Sequence, residues 1–125
     1  MDAGKLGSQT AHATHLALLG DFRPKDGEQP QDELTFVIRG AAAKWLQADF
    51  PKITLEVHSE DELRAILGKA QAAGLPCALV EDNGWTVFKN KKTPTVVGIG
   101  PAPSAEIDAI TGHLDKYVSP RVEPV

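Results

Sequence analysis

The sequence predicts an α/β domain in which a small mixed β-sheet of about four strands lies between helices. Three observations carry this. Residues 75–80, Leu-Pro-Cys-Ala-Leu-Val, form an uncharged run that Gly74 and Pro76 separate from what precedes it, the pattern of a short buried strand. Residues 52–58 alternate, with Ile53, Leu55 and Val57 on one side, and a helix signal at Ser59 stands between them and that run. The three pieces read as a β-α-β unit, which makes parallel strands. Residues 4–19 read as a helix stopped by Gly20, and small residues dominate its first three turns, as close approach to a sheet requires.

The remaining elements follow in order. Residues 21–33 are a loop rich in Pro, Gly, Asp and Glu. Residues 34–38, Leu-Thr-Phe-Val-Ile, suit either a strand or a docking segment. A helix over 41–49 carries Trp45 and Leu46 and ends at Phe50-Pro51. Ser59-Glu60-Asp61-Glu62 is a capping-box sequence that starts a helix through Leu63, Ile66 and Leu67 to Gly74. A second apolar run over 95–100 pairs with the strand at 75–80, and Ser104 caps a last helix through Ile107 and Ile110 that ends near Gly112-His113, where the histidine favours the helix dipole. Residues 1–118 therefore make one domain, and 119–125 a loose tail.

Composition narrows the function classes. The chain has 125 residues, of which 24% are charged, and a net charge of −4, so it is an ordinary globular protein with no overall basic character to advertise nucleic-acid binding. A local patch can still grip phosphates on an acidic protein. The single cysteine, Cys77, falls inside a predicted strand and suits a reducing compartment. No apolar stretch approaches the roughly 20 residues of a membrane span, and no secretory leader opens the sequence, so the expected location is the cytoplasm.

Two features carry chemistry. Spacings of four and three put Lys5, Gln9 and His12 on one face of the first helix. Glu81-Asp82-Asn83-Gly84-Trp85-Thr86 sets a carboxylate, a turn-forming Asn-Gly and a hydroxyl just past the carboxyl end of the strand at 75–80, where open α/β sheets keep ligands. Read alone, Lys5 and Asp82 are equally a surface salt bridge worth about 0–1 kcal/mol, and Asn83-Gly84 a turn. His12 and His15 are three apart, yet no third metal ligand is evident. The most basic cluster, Lys89-Asn90-Lys91-Lys92, follows this loop, with Arg23 and Lys25 elsewhere in reach.

Five segments in one order then resemble a known family. Residues 4–13, Gly-Lys-Leu-Gly-Ser-Gln-Thr-Ala-His-Ala, resemble its helix signature, and residues 73–76, Ala-Gly-Leu-Pro, resemble its A-G-L-P motif. Residues 82–86, 98–103 and 110–114 complete the set. Together they resemble peptidyl-tRNA hydrolases of the second type, in a bacterial or phage-like member. The resemblance implies hydrolysis of the ester between peptide and tRNA, recycling tRNA without a metal or other cofactor. It assigns the active site to Lys5, Gln9, His12, Asp82 and Thr86. Ester hydrolysis needs an oriented water and a donor for the developing oxyanion. Lys5 supplies the donor, Asp82 orients the water or holds Lys5, and Thr86 hydrogen-bonds either. A carboxylate beside a lysine stays ionised, so orienting water suits Asp82 better than general-base work. Lys89, Lys91, Lys92, Arg23 and Lys25 are the expected contacts to tRNA phosphates.

The sequence departs from the family at its opening. The resemblance implies an apolar strand ahead of Met1, and here that strand is missing. A start further upstream, residues 34–38, or a partner chain as in a homodimer would cover the gap. Asp2 and Ala3 replace an expected glycine and basic residue, Val87 replaces a glutamine, and residues 21–33 are longer than usual. A tRNA- or protein-binding module that keeps the fold without turnover is the alternative function.

Overall fold

The computed structural model of the chain describes residues 1–82 and 92–118. The first helix, α1 (Ala3–Leu19), opens on Asp2, whose carboxylate accepts a 2.8 Å hydrogen bond from the Lys5 backbone N–H. This is an N-cap, so Asp2 has a structural use that the sequence comparison with glycine hid. Gly20 closes the helix at φ 94°, a left-handed value that suits glycine, and its N–H returns to the Leu16 carbonyl.

Residues 21–39 contain no helix or strand, so the segment at 34–38 does not join the sheet. Phe36 instead meets Phe22 edge to face, with ring centroids 5.0 Å apart. The short helix α2 (Gly40–Gln47) follows, and the Trp45 indole donates to the Pro51 carbonyl at 2.8 Å.

The expected strand over 52–58 is reduced to one antiparallel bridge between Leu55 and Lys116. Glu56 N–H bonds the Asp115 carbonyl and Tyr117 N–H bonds the Thr54 carbonyl, so this segment's hydrogen bonds go to the chain's last described stretch. The parallel β-α-β pair is not formed among the described residues, and Ile53 is exposed whereas Leu55 and Val57 are half-buried. Alternation marked a strand-like backbone correctly; it could not say which edge would take its hydrogen bonds.

Helix α3 (Glu60–Ala72) starts as its capping sequence predicts. The Ser59 hydroxyl accepts from the Glu62 N–H at 3.1 Å, while the Glu62 carboxylate reaches back to the His58 N–H at 3.4 Å, one residue before the cap. Strand β1 (Cys77–Asp82) and strand β2 (Thr93–Ile99) then pair antiparallel, a two-stranded sheet among the described residues where about four strands were expected. The register runs from Cys77 opposite Ile99 to Val80 opposite Val96, then slips so that Glu81 faces Pro94. The slip is a bulge at Thr95, whose hydroxyl donates to the Val80 carbonyl at 3.1 Å. The final helix α4 (Ser104–Thr111) has Pro103 at its N-cap with no side-chain cap bond, so Ser104 is the first helical residue and not the cap.

The sheet is covered on both faces. Opposed residues of an antiparallel pair share a side. Gly98 meets Ala13 of α1, which places Ala78, Val80 and Asp82 on the α1 side. Cys77 and Ile99 point the other way, onto a core of Ile66, Ala70, Leu75 and Ile110 from α3, α4 and the turn between α3 and β1. Burial pushes the half-buried Cys77 thiol's pKa up, keeping it protonated. Among the described residues no helix is long and apolar enough to cross a membrane.

Candidate active site

The sheet and α1 together fix the site. A strand shows alternate side chains to each face, so Asp82 shares the α1 side with Val80, and Glu81 between them is exposed. On the helix, residues four apart lie in one row, and Lys5, Gln9 and Ala13 form the row against the sheet. Gln9 and Ala13 are each only 4% exposed. One turn before Gln9, the same row brings the Lys5 ammonium into an ion pair with the Asp82 carboxylate.

The pair is unequally covered: the Asp82 side chain is 2% exposed and that of Lys5 21%. A carboxylate removed from water costs several kcal/mol unless it is compensated, and the Lys5 ammonium contributes such compensation to Asp82. Asp82 is the last residue of β1 rather than a loop residue beyond it, as the sequence suggested. Backbone pairing opposite Thr93 therefore anchors it.

Lys5, Gln9, His12 and Asp82 all line one open groove of about 800 Å³. His12 is exposed at its side and stands edge to face with His15 at 6.1 Å. Among the described residues no group of three or more metal-ligating side chains gathers. Lys92 also lines the groove and is exposed. Thr86, Lys89 and Lys91 lie outside the described residues, as do the Asn83-Gly84 turn, Val87 and the tail at 119–125.

Arg23 lines the same groove, whereas Lys25 does not. The Arg23 guanidinium donates to both carboxylate oxygens of Asp21, at 2.5 to 3.2 Å, which holds the Asp21 pKa down at about 2 and raises that of Arg23. Lys25 faces a smaller hollow of about 360 Å³ next to the groove. His113 is exposed just past Gly112, the C-cap of α4.

The structure adds a wall that the sequence reading did not foresee. Leu16, Leu19, Phe22, Leu34 and Phe36 line the far end of the same groove. Leu16 and Leu19 continue the spacing of four and three begun by Lys5, Gln9 and His12, so the signal was present along α1. Phe22, Leu34 and Phe36 sit in an irregular segment with no periodicity to reveal them.

Chemically, the floor of the groove offers a donor and an acceptor side by side. An ammonium carries three N–H donors and an ionised carboxylate only acceptors. One can stabilise a developing oxyanion and the other can orient a water. Fold and site thus define an α/β protein with a largely buried acid–ammonium pair at the floor of an open groove, equipped for polar chemistry on an anionic or ester substrate.

The chain belongs to the family described as Peptidyl-tRNA hydrolase PTH2, whose sequence profile matches residues 1–117. It is similar to the peptidyl-tRNA hydrolase of Methanocaldococcus jannaschii, 37% identical over 114 residues that cover 91% of this chain and 87% of that protein. The peptidyl-tRNA hydrolase of Halobacterium salinarum is 36% identical over 117 residues, covering 94% of this chain and 89% of that one. That of Sulfolobus acidocaldarius is 34% identical over 114 residues, covering 91% and 88%. These relatives are archaeal and lend no support to a bacterial or phage-like placement.

Proposed function

We propose that this chain hydrolyses the ester joining a peptide to the 3′ end of tRNA, returning the tRNA to translation in the cytoplasm. Family membership supports the reaction class, and the Lys5–Asp82 ion pair on the groove floor is the observation that carries it onto residues. Asp82 accepts a hydrogen bond from a water and orients its oxygen toward the ester carbonyl carbon. As the tetrahedral intermediate forms, the Lys5 ammonium stabilises the oxyanion. Collapse breaks the bond to the ribose 3′ oxygen, which takes one proton of the attacking water, and the other is released to solvent as the peptide departs as a carboxylate. Gln9 and His12, on the same helix, position the ester; Thr86 holds the water or Asp82.

The tRNA phosphates meet Lys92, with Lys89 and Lys91 beside it in sequence. Arg23 lines the groove but is paired with Asp21, and Lys25 lines the neighbouring hollow, so these two are the outer and weaker contacts of the grip.

The test is turnover of an N-acetyl-aminoacyl-tRNA by wild type, Lys5→Ala and Asp82→Asn, with folding of each checked by circular dichroism. Each substitution should lower kcat by on the order of 10²–10³. Wild type that binds the substrate without releasing the amino acid would instead identify a binding module that has kept the fold.

A further inference from the structure

The apolar end of the groove has no part in the chemistry above, and its position says what it holds. Lys5, Gln9, His12, Leu16 and Leu19 run along one face of α1, a distance of about 20 Å at 1.5 Å per residue. Lys5 and Asp82, where the ester must lie, are at one end. At the other, Leu16 and Leu19 face Phe22, Leu34 and Phe36. These last three are exposed by 55%, 50% and 37%, an apolar shelf kept open to water beside a reactive pair.

Two parts of the substrate extend from the ester: the acceptor strand of the tRNA and the peptide. The charge around the shelf separates them. Of the charged residues in 21–33 only Asp21 and Arg23 line this groove, and they pair with each other. That balanced pair leaves a phosphate no net attraction there, whereas apolar side chains gain by leaving water. An extended peptide rises about 3.3 Å per residue, so about 20 Å spans roughly six residues from the ester.

We propose that the groove beyond His12 is a subsite for the peptide of the substrate, and that Phe22, Leu34 and Phe36 select apolar side chains four to six residues before the ester. The inference rests on the hydrolase reading above and adds which half of the substrate lies along α1, and which of its sequences are preferred.

Three tRNAs charged with the same final amino acid test it: an N-acetyl-aminoacyl-tRNA, a hexapeptidyl-tRNA with leucines in its first three positions, and one with glutamates there. Wild type should show kcat/KM about ten-fold higher for the leucine hexapeptide than for the short substrate, mostly through KM, and no gain for the glutamate one. In Phe22→Ser and Phe36→Ser the ratio of leucine hexapeptide to short substrate should fall to about one. A wild-type ratio near one, or one that survives both substitutions, overturns the subsite. So does an equal rise in KM for all three substrates, which would give the shelf to the tRNA. If wild type releases none of the three, the failure lies in the hydrolase reading itself.

Discussion

The carbonyl oxygen of Ala13 lies 2.7 Å from the point where a Cβ on Gly98 would stand. No side chain fits that gap, so α1 approaches the sheet at this place only because residue 98 is glycine. The same contact sets how far Lys5, two turns earlier on α1, stands from Asp82 on the neighbouring strand.

Gly98→Ala is therefore expected to cost about 1–3 kcal/mol, since the obstacle is backbone and cannot rotate away. It should also lower turnover, because α1 must move off the strand that carries Asp82's partner residues. Urea denaturation and the N-acetyl-aminoacyl-tRNA assay measure the two effects; unchanged stability would contradict the close approach.

Lys5→Met removes the ammonium and leaves the Asp82 carboxylate 2% exposed. The expected loss is about 3–5 kcal/mol. Adding Asp82→Asn to that variant removes the buried charge and should restore much of the stability while turnover stays low. A single-variant loss below about 1 kcal/mol would mean that the pair behaves as a surface bridge.

Asp21 gives a pH signature separate from the site. Its pKa is lowered from 3.8 to about 2 by hydrogen bonds from the Arg23 side chain and backbone. A depressed folded-state value means that the stabilisation is present above the ordinary carboxylate pKa and fades as pH falls from about 4 toward 2. Solvent exposure keeps it within about 1 kcal/mol. In Arg23→Ala an NMR titration should find Asp21 back toward 3.8; an unchanged midpoint would show that the guanidinium is not its cause.

Lys91→Glu combined with Lys92→Glu should weaken tRNA binding and flatten its salt dependence. Each lost phosphate contact reduces the slope of log K against log salt by about 0.7–0.9. Filter binding at several salt concentrations reads this directly, and an unaltered slope would place the tRNA elsewhere.

Much of this protein was legible residue by residue. The helix at Ala3–Leu19 announced itself by small residues and a closing glycine, α3 by Ser59 and Glu62, and β1 by an uncharged run, because each signal acts within a few residues of where it is written. The spacing of Lys5 and Gln9 also showed which side of α1 carries polar groups. Misreadings came where the partner is distant. Residues 52–58 alternate like a strand yet bond to residues 115–117, and residues 34–38 suit a strand yet stay outside the sheet.

Sequence by itself determined the local elements, the family and the residue types available for chemistry, since propensity, capping and motif spacing are short-range. Tertiary structure alone decided that Lys5 meets Asp82, that Asp82 is anchored on a strand, and that two phenylalanines from an irregular segment wall the same groove. Those relationships depend on how the sheet and α1 pack, and packing is settled by contacts between residues far apart in the chain, here by the absence of a side chain at Gly98.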